Sequence, residues 1–295
     1  MALQSLDIRN RSASTFEGPS ARQALEVAKL IDVSRCIGCK ACQSACMEWN
    51  DLRGAVGVND GLYTNPADLD DQTWTLMRFY EENLPTGLQW LILKDGCLHC
   101  AEPGCLKSCP SPGAIVQYAN GIVDVNPDKC IGCAYCASGC PFNVPKFAEK
   151  TGKMQKCTLC VDRSRVGLEP ACVKSCPTGC LHFGTKDDML SLAKGRVAQL
   201  KASGFAEAAV YDPPGVGGTA VVTVLAHGDH PEWYGLPKDP QVPLGVKLWK
   251  GFLRPLGFLA ILGAVVGAFG HHLYHGNKGH VDPGPRDPDE TGTAA

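Results

Sequence analysis

Apolar and polar positions alternate in short blocks along most of this 295-residue chain, and one block near its end is long. Pro255 to Gly270, PLGFLAILGAVVGAFG, carries no charge. At about 1.5 Å per residue this block covers roughly 24 Å, short of a ~30 Å hydrocarbon core. Extension to 248–274 supplies the length, with Trp249 and Tyr274 as interfacial anchors and Arg254 snorkelling outward. The pattern predicts one transmembrane helix over 248–274 and a polar tail over 275–295. Ala260, Gly263, Gly267 and Gly270 fall near one face, where small residues let another helix approach closely. His271 and His272 read as headgroup-level residues rather than haem ligands.

The shorter blocks predict smaller elements. Lys29-Leu30-Ile31-Asp32 and Leu181-His182-Phe183-Gly184 read as strands. Two β-rich runs, 114–118 and 122–125, flank Asn120-Gly121 and predict a hairpin. Asp187 is expected to cap a helix reaching about Lys201, with Met189, Leu190, Leu192 and Val197 on its apolar side. Ala220 to Leu225 reads as a strand after the Pro213-Pro214-Gly215 break. The stretch 49–89 is mostly polar and reads as a long surface excursion. Asp239 to Pro243 reads as a linker.

Composition changes this picture in one respect. A net charge of −2 and a pI near 6.4 give no basic field for nucleic acid. An apolar content of 44% supports a core, but 33 Gly, 21 Pro and 17 Cys make much of the fold turns and loops. Disulfides suit short secreted scaffolds with even cysteine counts, whereas this chain is long and its count is odd. Met1 to Leu30 has charges throughout and no apolar export core, and Arg9 and Arg11 are not adjacent, so no twin-arginine signal is visible.

Sixteen of the seventeen cysteines fall into quartets. Cys36, Cys39, Cys42 and Cys46 form C-x2-C-x2-C-x3-C; Cys97, Cys100, Cys105 and Cys109 form C-x2-C-x4-C-x3-C before Pro110. Cys130, Cys133, Cys136 and Cys140 repeat the first spacing before Pro141, and Cys157, Cys160, Cys172 and Cys176 form C-x2-C-x11-C-x3-C before Pro177. Two intervening residues let a tight loop wrap one cubane, and the fourth cysteine of such a run ligates the other cluster of a two-cluster ferredoxin. Zinc sites instead combine two C-x2-C pairs into one tetrahedron, which a triple C-x2-C-x2-C overshoots. The sixteen are therefore iron ligands of four 4Fe–4S clusters. Cys180 belongs to no quartet and reads as a small buried apolar residue.

The hairpin between the second and third quartets pairs these as an inner ferredoxin-like module over 90–150. The first and fourth quartets form an outer module from 1–89 and 151–186, with 187–247 as a helix and strand extension. Spacing also permits pairing quartets three and four. With crossed ligands in the nested scheme, the four sets are Cys36, Cys39, Cys42 and Cys176; Cys46, Cys157, Cys160 and Cys172; Cys97, Cys100, Cys105 and Cys140; and Cys109, Cys130, Cys133 and Cys136. The expected fold is α+β, two nested ferredoxin-like two-cluster modules plus one C-terminal transmembrane helix. No phosphate-cradling glycine motif and no nucleophile–base set appear, so no catalytic residue is assigned. Glu48, Asp32 and His99 stand beside ligands, where they orient loops or tune cluster potential.

Across nearly its full length the chain resembles the iron–sulfur (beta) subunit of the membrane-bound respiratory formate dehydrogenases of the N/O type. The likeness is carried by VAKLIDVSRCIGCKACQSACMEWNDLR from Val27, CLHCAEPGCLKSCPSPGAIVQYANGIVDV from Cys97, GFAEAAVYDPPGVGGTAVVTVL from Gly204 and LWKGFLRPLGFLA from Leu248. The first quartet has Met47 where ferredoxins have proline after the fourth cysteine. The resemblance implies the nested pairing, a catalytic alpha subunit with a molybdenum or tungsten pterin, and a membrane cytochrome b gamma subunit that reduces quinone. It implies electron transfer without catalysis by this chain. It also implies a location on the bacterial inner membrane, with the soluble part periplasmic and exported with its partner. The same quartets and terminal span would serve a membrane-bound hydrogenase or another molybdopterin oxidoreductase.

Overall fold

The computed structural model describes residues 25–54, 57, 63–84, 87–248 and 252–276. Within it, residues up to Val246 form one compact unit, and a second unit begins at Lys247. In chain order the first unit contains β1 (Val27–Asp32), α1 (Ala41–Trp49), β2 (Thr75–Leu84), β3 (Gly87–Gly96), α2 (Gly104–Ser108), β4 (Ile115–Gln117) and β5 (Val123–Val125). There follow α3 (Tyr135–Ser138), β6 (Lys146–Ala148), β7 (Lys153–Gln155), α4 (Val161–Ser164), α5 (Ala171–Lys174), β8 (Leu181–Thr185), α6 (Lys186–Ala202), β9 (Ala209–Tyr211) and β10 (Val221–Leu225).

The predicted strands around Lys29 and Leu181 meet. β1 pairs antiparallel with β8 and parallel with β10, and β10 pairs antiparallel with β9, giving the order β8-β1-β10-β9. Every residue of β1 is buried, because both faces of the sheet are covered. On one face Ala28, Leu30, Val222 and Val224 pack against Met189, Ala193 and Leu200 of α6. On the other, Val27, Ile31, Val221 and Leu225 share a core with Cys42, Cys172, Cys180, Met77 and Leu159. The sheet thus separates a supporting helix from the cysteine-rich loops. The α6 cap is Thr185 rather than Asp187: its hydroxyl accepts from the Asp188 N–H at 3.2 Å, and Asp187 and Asp188 lie in the first turn where the helix dipole favours them.

The expected surface excursion over 49–89 is a misreading of its second half. Thr75–Leu84 is a ten-residue strand paired along its length with β3. Its first three residues, Thr75, Leu76 and Met77, are buried, and Leu69 joins Leu76 and Val144 in a small core. The strand turns polar only at its outer end, where tertiary packing stops, so no regular alternation marks it in the sequence. The Asn-Gly hairpin forms as β4 and β5, with Gln117 opposite Val123. Its loop closes through Tyr118 N–H to the Ile122 carbonyl at 2.9 Å, and Gly121 takes φ +88°.

In the second unit, Arg254–His275 is a 22-residue helix with mean hydropathy 1.7 over its most apolar window, long and apolar enough to cross a membrane. Its apolar side chains and Tyr274 are exposed, as are the positions of the small-residue stripe. Trp249 lies outside the described residues, as does the tail from 277.

Candidate iron–sulfur sites

Each quartet begins with the same backbone device. In every C-x-x-C loop the residue before the second cysteine has a positive φ: Gly38 at +66°, His99 at +49°, Gly132 at +69° and Leu159 at +51°. In the fourth loop the turn brings the Leu159 N–H to the Cys157 sulfur at 3.4 Å. In quartets one and three the next residue after the second cysteine, Lys40 or Ala134, is also left-handed, and a helix starts immediately after it. α1 then carries Cys42 and Cys46, and α3 carries Cys136. The histidine and leucine adopt a conformation ordinarily left to glycine or asparagine, which the surrounding loops must hold.

The third dimension brings distant cysteines together. Cys36, Cys39, Cys42 and Cys176 line one cavity, together with Cys180 and Lys94. Cys46, Cys157, Cys160 and Cys172 line a second, with Asn50, Trp74 and Thr75. The two are joined by packing of α1 on α5, where Ser175 Oγ donates to the Ala41 carbonyl at 3.2 Å. Trp49 Nε1 donates to Asp162 at 2.7 Å and stacks under Arg163, tying the end of α1 to α4. In the remaining half, burial raises the Cys100 thiol, and the charges of Cys97, Cys140 and Cys105 add to the effect. Burial likewise pushes Cys136 up to about 12, with Cys109, Cys130 and Cys133 as its charged neighbours.

Such crowding has a chemical meaning. Cys42 and Cys105 are pushed up to about 12 and Cys46 to about 11, in each case chiefly by burial. Buried thiolates this close together need a cation among them. Zinc takes four ligands from two C-x2-C pairs, whereas each of the two cavities gathers a C-x2-C pair together with two further cysteines from another part of the chain or helix. Hydrogen bonds to sulfur are already in place: Leu159 N–H to Cys157 at 3.4 Å, Met154 N–H to Cys130 at 3.5 Å and Asn50 Nδ2 to Cys46 at 3.6 Å. Three lysines, Lys29, Lys94 and Lys156, are buried in the same unit. Lys156 donates to the carbonyls of Val123 and Cys157, and Lys94 donates to Thr75 Oγ1 at 3.2 Å. Burial opposes the charge of both, but the neighbouring thiolates outweigh it and raise both pKa values. Interior cations of this kind suit thiolate-bound clusters with a net negative charge, and the residues present fit 4Fe–4S groups.

The flanking residues differ in role. Asp32 is 3% exposed, accepts from the Ser34 amide and takes a 2.8 Å bond from Arg196 Nε of α6. It anchors the loop leading into Cys36. Glu48 is exposed on α1. His99 is 1% exposed; its Nδ1 accepts from the Val123 N–H at 3.1 Å, and among the described residues its Nε2 has no hydrogen-bond partner. Burial and the charges of Lys156, Lys29 and Lys94 hold it neutral, well below the ordinary histidine range. Cys180 is 3% exposed and faces the first cavity beside Cys36, so it is a neighbour of that site rather than plain filling. The three lysines carry no sequence signal: Lys29 stands seven residues before Cys36, Lys94 three before Cys97 and Lys156 directly before Cys157, and a lysine in any of these places reads as a solvated charge.

Comparison with known proteins adds three family matches. Residues 35–114 and 88–186 each match the 4Fe-4S dicluster domain, and residues 242–280 match the domain described as formate dehydrogenase N, transmembrane. The two dicluster matches overlap and do not follow the nested division. The nitrate-inducible formate dehydrogenase iron-sulfur subunit of Escherichia coli is 55% identical over 291 residues, covering 97% of this chain and 99% of that one. The formate dehydrogenase iron-sulfur subunit of Haemophilus influenzae is 55% identical over 276 residues, 92% and 88% of the two chains. The formate dehydrogenase-O iron-sulfur subunit of Escherichia coli is 54% identical over 297 residues, 98% and 95%.

Proposed function

The chain belongs to the family of formate dehydrogenase iron–sulfur subunits, and from that premise we propose that it carries electrons from a molybdenum- or tungsten-pterin alpha subunit to a membrane cytochrome b gamma subunit and quinone. It is an electron-transfer subunit with four 4Fe–4S clusters and is noncatalytic by itself. The single observation that carries the reading is the set of four cysteine quartets in a chain alike from end to end to these subunits.

The proposed ligand sets are Cys36, Cys39, Cys42 and Cys176; Cys46, Cys157, Cys160 and Cys172; Cys97, Cys100, Cys105 and Cys140; and Cys109, Cys130, Cys133 and Cys136. The shared cavities support the first two sets, and the electrostatic neighbourhoods of Cys100 and Cys136 support the others. Each set crosses between two quartets, so the first and fourth quartets form an outer module and the second and third an inserted inner one. When bound, such clusters supply one-electron redox chemistry, with potentials spanning roughly −700 to +450 mV according to surroundings. The protein's own part is to exclude water from the thiolates, to direct amides at sulfur and to hold lysines in the interior. The helix Arg254–His275 is the membrane anchor, and the soluble part faces the periplasm of a bacterial inner membrane.

Purification of the intact complex tests this. The expected result is about sixteen irons held by this chain, over and above the iron of its partner subunits, and a large subunit that reduces the clusters with formate. About eight irons, or reduction by hydrogen and not formate, would overturn the cluster count or the donor respectively.

A further inference from the structure

An ammonium buried without an anion is costly, so each interior lysine marks a place where negative charge is expected. Lys94 is 4% exposed, and its surroundings are defined on two sides. It sits on β3 opposite Met77 of β2, and Thr75 faces Gly96, which offers no side chain. Lys94, Met77 and Thr75 therefore share one face of the hairpin, with Lys94 reaching diagonally across to the Thr75 hydroxyl at 3.2 Å. Met77 Sδ lies 3.4 Å from Cys42 Sγ. Lys94 lines the cavity of Cys36, Cys39, Cys42 and Cys176, while Thr75 lines that of Cys46, Cys157, Cys160 and Cys172. Cys42 and Cys46, about one turn apart on α1, supply one thiol to each cavity. The Lys94–Thr75 pair runs alongside that turn as a second link between the two sites.

We propose that Lys94, held by Thr75, is the positioning cation of the outer cluster pair, set between the two cluster sites so that it raises the reduction potential of both. This rests on the reading that these eight cysteines hold two 4Fe–4S clusters. The physical basis is charge. Reduction adds one negative charge to a cluster, and a fixed positive charge in a low-dielectric interior stabilises the reduced form. Because the same ammonium serves both sites, it also offsets repulsion between two reduced neighbours. The hydrogen bond to Thr75 prevents the charge from collapsing toward either one.

The test is a potentiometric titration, followed by electron paramagnetic resonance, of the intact complex carrying wild-type chain, Lys94→Gln or Lys94→Arg, with iron measured in each. Wild-type complex showing fewer than four cluster signals would refute the underlying cluster assignment and is read first. With four present, Lys94→Gln is expected to lower the midpoint potentials of two clusters and leave two unmoved, while Lys94→Arg stays near wild type. Retained iron with four unchanged potentials, or a common shift of all four, would overturn the proposal. Should Lys94→Gln shed iron, Thr75→Val decides, since it keeps the ammonium but releases it toward the first cavity. One potential should then rise and another fall; four unmoved potentials in Thr75→Val would refute the role.

Discussion

Gly104 and Gly139 are in backbone contact: a β-carbon on Gly104 would lie 2.2 Å from the Gly139 carbonyl oxygen, and one on Gly139 would lie 1.9 Å from Ser108 Oγ. These glycines precede Cys105 and Cys140, so the contact of α2 with the end of α3 is what draws the second and third quartets together. Gly104→Ala must push backbone against backbone, for which there is no flexible neighbour to yield. The expected outcome is selective loss of the inner clusters, about half the iron, with the outer pair retained. Iron analysis with resonance spectra checks it, and full iron retention would refute the link.

Asp32 and Arg196 fasten α6 to the loop that opens the first quartet. The Asp32 carboxylate is nearly inaccessible and also takes the Ser34 amide, so Asp32→Ala strands both donors. A loss of about 2 kcal/mol is expected, the scale of a hydrogen bond to a charged group, because Arg196 keeps partial access to water and its bonds to Gln199 and Ser34. Denaturant unfolding of the wild-type and variant chains measures it, with a loss below about 1 kcal/mol counting against the role.

Tyr234 gives stability a dependence on alkaline pH. It is 1% exposed, and burial pushes its phenol up to about 12, against amide hydrogen bonds from His227 and Ala226 that work the other way. The unfolded chain ionises near about pH 10, before the folded one does, so the folded state binds more protons between the two values. Stability is therefore intact below about pH 10 and falls as pH rises toward 12, by at most about 1.4 kcal/mol per unit. Tyr234→Phe lacks this component. Its stability relative to wild type should improve steadily over that interval, and a constant difference would contradict the argument.

The terminal helix is expected to act as an anchor and nothing more. A chain ended before Trp249 should keep its clusters, as read by iron content, while leaving the membrane fraction of lysed cells. Retention in that fraction would show that partner contacts alone suffice; loss of iron would give the helix a part in cluster assembly.

The sequence by itself determined the chemistry. Cysteines with two residues between them can reach one cluster through local backbone alone, so the quartets, their number and the C-x-x-C turns were legible before any tertiary contact. So was the apolar helix near the end, because a membrane selects for an uninterrupted run. The tertiary structure decided what lies between the sites. β2 hid in a polar stretch because only its first three residues are fully buried, and Lys94 is paired with that buried end, opposite Met77. Asp187 read as a cap, although Thr185 two residues earlier had the extended backbone that a cap requires. Cys180 read as isolated because its neighbour Cys36 is distant along the chain. Ligand spacing is a local constraint, whereas burial of a charge and closeness of two helices arise only when remote segments share one interior.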